Sequence, residues 1–229
     1  MKKFIVFLVS IILLFSCIFS SACAVKREEE VVINNTRCFL NEDKKSYTYG
    51  YYHSGEKEVV IPSKIKGLKV TAIGQYCFDR QSVEKVTIPD TIKYIEHGAF
   101  NQSKIKSIEI PESVISLGYN AFLACRDLQS VVIKGNITTI ESGTFSGCYN
   151  LKQVVLPDTV ETIESNAFYG CASLKEIILP KNLKTIKNLA FTGCSNLGEI
   201  ALPKSVTLVE DKAFINSTAI TNFAVEEGN

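Results

Sequence analysis

One interval governs this chain. Phe78, Phe100, Phe122, Phe145, Phe168, Phe191 and Phe214 stand 22, 22, 23, 23, 23 and 23 residues apart. The prolines keep a related phase. Pro89, Pro111, Pro157, Pro180 and Pro203 each precede one of these phenylalanines by eleven residues. The sixth proline, Pro62, opens a longer first unit, and Lys134 fills the slot in the repeat that lacks one. Two unrelated residue types holding one period define an internal repeat, and a repeat this short cannot bury its apolar side alone. Stacked units can, because each covers the next.

The consensus reads L-x-x-[IV]-x-[IL]-P-x-x-[IVL]-x-x-[IVL]-x-x-x-[AT]-F-x-x-C-x-x. The pieces before each proline, "QSVVI", "KQVVL" and "KEIIL", are β-branched and short, so they predict a strand that proline ends. The piece around "SNAFYGCASL" is too short for more than a turn or a 3₁₀ segment. The expectation is a repeat solenoid with one short parallel strand per coil of ~23 residues and turn or 3₁₀ segments on the other side. Equivalent strands would lie about 4.8 Å apart, giving seven coils a sheet roughly 30 Å long. Alternation sends Val154 and Leu156 inward and Gln153 and Val155 outward. Leu151, Val160, Ile163 and Phe168 join the core.

The unit "LKxIxLPxxLxxIxxxAFxGCxx" resembles the BspA-like leucine-rich repeats over about residues 40–225. The first unit, "YTYGYYHSGEKEVVIPSKIKGLKVTAIGQYCF", is similar to the longer N-terminal coil of that family. The resemblance implies a leucine-rich-repeat-like solenoid. It also implies the settings of that family, surface and secreted proteins linked to adhesion, to host matrix or plasma proteins and to other microbes.

The organisation expected is a signal peptide at 1–24, a charged, poorly ordered spacer at 25–33, an N-terminal cap at 34–61, seven coils over 62–225 and a tail at 226–229 with no evident cap. Lys2 and Lys3 precede an apolar run from Phe4 to Phe19, followed by "SSACAV", the layout of a secretory signal. Two readings stand for its end. Ala22-Cys23-Ala24 fits simple cleavage after Ala24. Cys17, behind Leu14 and Ser16, and less well Cys23, fit the lipidated cysteine of a bacterial lipoprotein. Either way the protein is expected to be exported, secreted or at the cell surface, meeting a membrane only through such an anchor.

Composition narrows the function classes. With 229 residues, 46% hydrophobic content and net charge +1, the chain has core enough but no basic field for nucleic acid. No phosphate-cradling loop, HExxH or GxSxG occurs, and no cofactor motif is present. His53 and His97 fall in different rows and read as solvated surface residues. Cys125, Cys148, Cys171 and Cys194 each stand three residues after the Phe of their coil. Disulfides would be strained between in-register side chains, and no CxxC pair suggests a metal. A column of buried thiols acting as small hydrophobes is the expectation. Cys38 and Cys77 lie outside it. The alternating Tyr47, Tyr49, Tyr51 and Tyr52 suggest a cap strand packing rings on the first coil.

The outward strand positions form columns. Thr87, Glu109, Val132, Val155, Ile178, Ala201 and Ala224 make one. Gln153 and Glu176 lie in a second, Lys152 and Lys175 in a third. Val132, Val155, Ile178 and Ala201 would form an exposed apolar stripe rimmed by polar groups, the pattern of a protein-binding face. Plain β-propensity also accounts for it. Three functions follow: an exported, non-enzymatic protein binding a protein partner, host matrix or cell-surface, through this face; a structural spacer without a tight ligand; and a hydrolase on a solenoid scaffold.

Overall fold

The computed structural model describes residues 30–225. The expected signal peptide, with Cys17 and Cys23, and the expected tail at 226–229 lie outside these residues. Seven coils stack in one direction, and Phe223–Val225 begins an eighth turn. The phenylalanines line one interior row. Phe100 and Phe122 stack at 4.9 Å between ring centroids, Phe122 and Phe145 at 5.5 Å, Phe145 and Phe168 at 5.3 Å, and Phe168 and Phe191 at 5.0 Å, with planes within 20° of parallel. Leu151, Val154, Val160 and Ile163 are buried beside them, and Leu156 packs against the core from its rim.

The first row of strands is the expected one. It runs through β4 (Glu58–Val60), Lys85–Thr87, Ser107–Ile110, Ser130–Ile133 and Gln153–Val155, all parallel. Residues 175–179 carry no strand, although Ile177 and Leu179 are buried in phase. The row resumes with Ile200–Leu202 paired to Phe223–Val225.

Each coil also has a second β-segment that the sequence pattern did not announce. Tyr94–Ile95 and Ser116–Leu117 pair in parallel, as do Thr139–Ile140, Thr162–Ile163, Thr185–Ile186 and Leu208–Val209. The third side holds tight turns rather than 3₁₀ segments. The residues two before and two after each Phe take positive φ, among them Asn120, Ala124, Gly147, Asn166, Gly170, Leu189 and Gly193. A 3₁₀ run needs consecutive right-handed residues, so these positions interrupt it. They also turn amides toward the next coil. Phe145 N–H donates to the Ala167 carbonyl at 2.8 Å and Gly147 N–H to the Tyr169 carbonyl at 2.7 Å. Backbone donors are thus satisfied coil to coil on this third side as well.

The N-terminal cap is a set of strands: β1 (Glu30–Ile33), β2 (Thr36–Leu40) and β3 (Ser46–Tyr52), antiparallel in that order. β5 (Lys64–Ile65) and β6 (Leu68–Ile73) follow, and β3 pairs in parallel with β6 to join cap and coils. Two expected boundaries move. Glu30–Ile33, placed in the spacer, is a strand paired antiparallel with β2, with Val31 and Ile33 packed against the core and Val32 exposed. Glu58–Val60, placed in the cap, is the first rung of the coil row, in register with Lys85–Thr87. Tyr47, Tyr49 and Tyr52 are buried and Tyr51 is exposed. Tyr52 shares the inner face with Tyr49 because Gly50 is an extra residue: Cys38 pairs with Tyr49, Arg37 with Tyr51. A Cβ on Gly50 would lie 2.4 Å from the Arg37 carbonyl. Tyr49 and Tyr52 lean on Phe78, extending the ring stack into the cap.

Candidate functional site

The first strand row presents its outward side chains in register. Glu109 lies beside Val132, and Val132 beside Val155. Val155 is 44% exposed and Ile178 87% exposed, while Val132 is half-buried and Ala201 exposed. Gln153, Glu176, Lys152 and Lys175 are exposed as well. Ala201 pairs with Ala224 beyond the interruption at 175–179. Val60, 73% exposed and in register with Thr87, heads the same column. The sequence reading missed it by placing residue 60 in the cap, yet "VVIP" repeats the strand-proline pattern of later coils.

Charge is arranged along this face by pairing. Lys134 Nζ reaches Glu109 Oε1 at 2.8 Å. Glu84 holds Lys57 at 2.7 Å on one side and Lys106 on the other. The bonds from Lys106 and Lys57 hold the Glu84 carboxyl down to about 2. A shallow cleft of about 390 Å³ lies among Lys85, Ser107, Glu109 and Val132.

The cysteine column has a bonding role. Cys125, Cys148, Cys171 and Cys194 are buried free thiols. Each donates to the phenylalanine carbonyl one coil back: Cys125 to Phe100 at 2.9 Å, Cys148 to Phe122 at 3.1 Å, Cys171 to Phe145 and Cys194 to Phe168 at 3.2 Å. Ser217 takes the same place in the seventh coil, donating to Phe191 at 2.6 Å. Burial pushes all four thiols up, Cys125 and Cys194 to about 12.

The two histidines remain apart. His53 is exposed. His97 is half-buried rather than simply solvated: it stacks on Tyr119 at 3.7 Å and bonds to Tyr76. Its neighbour Gly98, at positive φ, leaves room for the Tyr76 ring. Among the described residues, no group of three or more His, Cys, Asp or Glu is placed to hold a metal ion. No helix among them is long and apolar enough to cross a membrane.

The comparisons agree on the repeat. No curated protein matches the chain. A leucine-rich repeat protein from Eubacterium ventriosum is 31% identical with a TM-score of 0.74, over 85% of this chain and 51% of that one. The chain therefore spans about half the length of that protein. A leucine-rich repeat protein from Bacteroides ovatus is 21% identical with a TM-score of 0.53, over 85% of this chain and 70% of the other, a likeness of fold. The model of the BspA type leucine rich repeat region matches residues 44–171, 71–197 and 119–229, with 6 copies. The chain belongs to the BspA type leucine-rich repeat family.

Proposed function

We propose that this protein is exported and binds another protein through the outward face of its first strand row, centred on Val155 and Ile178. The observation that carries the reading is the exposure of Ile178 at 87%, one repeat after Val155 at 44%, next to paired strands that hold Val132 and Val155 in register. Burying Ile178 is favourable by about 1.5–3 kcal/mol, and Val155, fixed on a paired strand, loses little entropy on docking. Gln153, Glu176, Lys152 and Lys175 would form the polar rim. Family membership supports a host-matrix or cell-surface partner and a place at the cell surface.

The test is a double substitution, Val155→Lys with Ile178→Lys, assayed against a panel of extracellular-matrix and microbial surface proteins. Binding should weaken at least about tenfold with the melting temperature kept, because both side chains point to solvent. Unchanged binding removes this face as the interface. Export is tested separately by intact mass: cleavage before Cys17 or Cys23 with added acyl chains, or cleavage after Ala24.

A second reading, a rigid spacer, is favoured by ion pairs that run from coil to coil. Lys184 reaches Glu161 at 2.7 Å and Lys187 reaches Glu164 at 2.8 Å. Absence of any partner in the same panel, with unaltered export, would favour it.

A further inference from the structure

A second concave region lies where the cap meets the coils, on the side of the second β-segments. It consists of a cleft of about 720 Å³ and an adjoining hollow of about 200 Å³, which share Thr48 and Glu96 as lining. The space exists because side chains are missing. Ala72 stands where the next coils carry Tyr94, Ser116 and Thr139, and Gly74, like Gly118, stands where other coils carry Glu96 and Glu141. A Cβ on Gly74 would lie 3.0 Å from Thr48 Cγ2. Gly50, the bulge residue, lines the smaller hollow.

Around this trough stand two exposed aromatic rings. Tyr94 is 45% exposed on the cleft, and Tyr51 lines the hollow, held edge-on against Phe39 at 5.9 Å. Between them lies a dense set of polar groups, Thr48 and Thr71 on strands and Asn41, Gln75 and Glu96 on the loops beside them. Thr48 Oγ1 donates to Asn41 Oδ1 at 2.6 Å, and Asn41 Nδ2 donates to Thr71 Oγ1 at 3.3 Å. Glu96 Oε2 accepts from Gln75 N–H at 3.0 Å.

Lysine pairing varies from coil to coil. Lys106, Lys134, Lys184 and Lys187 each meet a carboxylate of the neighbouring coil. Lys69 and Lys93, in the cleft, have no carboxylate within ion-pair distance among the described residues. The lining nonetheless balances in sign, with Lys45, Lys69 and Lys93 against Glu42, Asp43 and Glu96.

We propose that this seam is a carbohydrate-binding cleft that takes a short uncharged oligosaccharide. A pyranose offers a flat C–H face to an aromatic ring and a circumference of hydroxyls to mixed donors and acceptors. The seam supplies Tyr94 and Tyr51 for the first, and Lys69, Lys93 and Glu96 for the second. The trough's lining is polar and apolar in about equal measure, which matches the two-sided chemistry of a sugar. An anionic ligand would need a surplus of positive charge that the balanced lining lacks. Burial raises the Glu96 carboxyl above its ordinary range, as befits a polar group set into a concave site.

The site is independent of the protein-binding face, and its test keeps the two apart. The full chain is titrated calorimetrically with maltotriose, cellotriose, chitotriose and N-acetyllactosamine. At least one should bind with a dissociation constant of about 1 mM or tighter. Tyr94→Ser, which installs the residue that Ser116 already provides in the next coil, should weaken it at least about tenfold with the melting temperature kept. The Val155→Lys, Ile178→Lys protein should bind the sugar as the wild type does. No binding of any of the four, binding undiminished in both Tyr94→Ser and Glu96→Gln, or capture of a peptide in place of a sugar would each overturn the proposal.

Discussion

The thiol of Cys171 donates a hydrogen bond to the carbonyl oxygen of Phe145, 3.2 Å away in the preceding coil. That oxygen already accepts the backbone N–H of Cys148 at 3.1 Å, so the thiol fills its second lone pair. Cysteine recurs at this position because the site wants a small, mostly apolar group with one weak donor. Serine meets the same need at Ser217.

Replacing Cys171 should therefore discriminate bonding from bulk. Cys171→Ala should lower the unfolding free energy by about 1–2 kcal/mol. Cys171→Ser, which keeps a donor, should cost less. Urea denaturation followed by circular dichroism measures both. Equal losses in the two variants would reduce the column to simple packing.

The buried thiols also set a pH limit. Their folded pKa values lie above the ordinary thiol value of 9.0. A raised folded value means that the unfolded chain releases protons first. The stability these thiols contribute is complete below about pH 8–9 and is lost as pH rises toward about 12. Above pH 9 the unfolding free energy should fall by about 1.4 kcal/mol per pH unit per buried thiol. Denaturation midpoints at neutral pH and pH 10 test this, and Cys148→Ser should make the decline shallower.

Left-handed backbone positions predict stabilising changes. Ala124 (φ 55°) stands where later coils place Gly147, Gly170 and Gly193, and Leu189 (φ 59°) where others place Gly98 and Gly143. Side chains there strain the backbone by about 1–2 kcal/mol. Ala124→Gly should raise the melting temperature by about 2–4 °C, and Gly170→Ala should lower it by a similar amount. A Cβ at Gly170 would lie 3.4 Å from the Tyr149 ring, in ordinary contact, so the penalty is one of backbone rather than space.

Glu84, between Lys57 and Lys106, gives the opposite pH signature. Its folded pKa is depressed to about 2, so its contribution is present above the ordinary carboxylate range and disappears as pH falls toward 2. A carbon-detected NMR titration should find its midpoint well below that of other exposed glutamates. Glu84→Gln should abolish that signal and reduce the sensitivity of stability to salt.

The repeat made much of this molecule legible in advance. Phe145 and Phe168 announced their interior row by spacing alone, and Val154 and Val155 announced opposite faces by alternation. The second β-segments were hidden because Thr162–Ile163 is two residues long, too short for any alternation to register. Leu189 carries no sign of its left-handed backbone, since leucine elsewhere avoids it. Val60 was lost to a boundary drawn at the proline rather than at the strand before it. His97 was misread because its partners, Tyr76 and Tyr119, come from other coils. The cap–coil cleft was invisible for a related reason: it is made by what Ala72 and Gly74 lack relative to equivalent residues one or more coils away.

The ring stack and the thiol bonds join each turn only to its immediate neighbours. Tension applied along the chain from its two termini should thus meet a series of similar small barriers rather than one large one. A single-molecule pulling experiment should record repeated force drops, each releasing a contour length of about 7–8 nm, the extended reach of 23 residues.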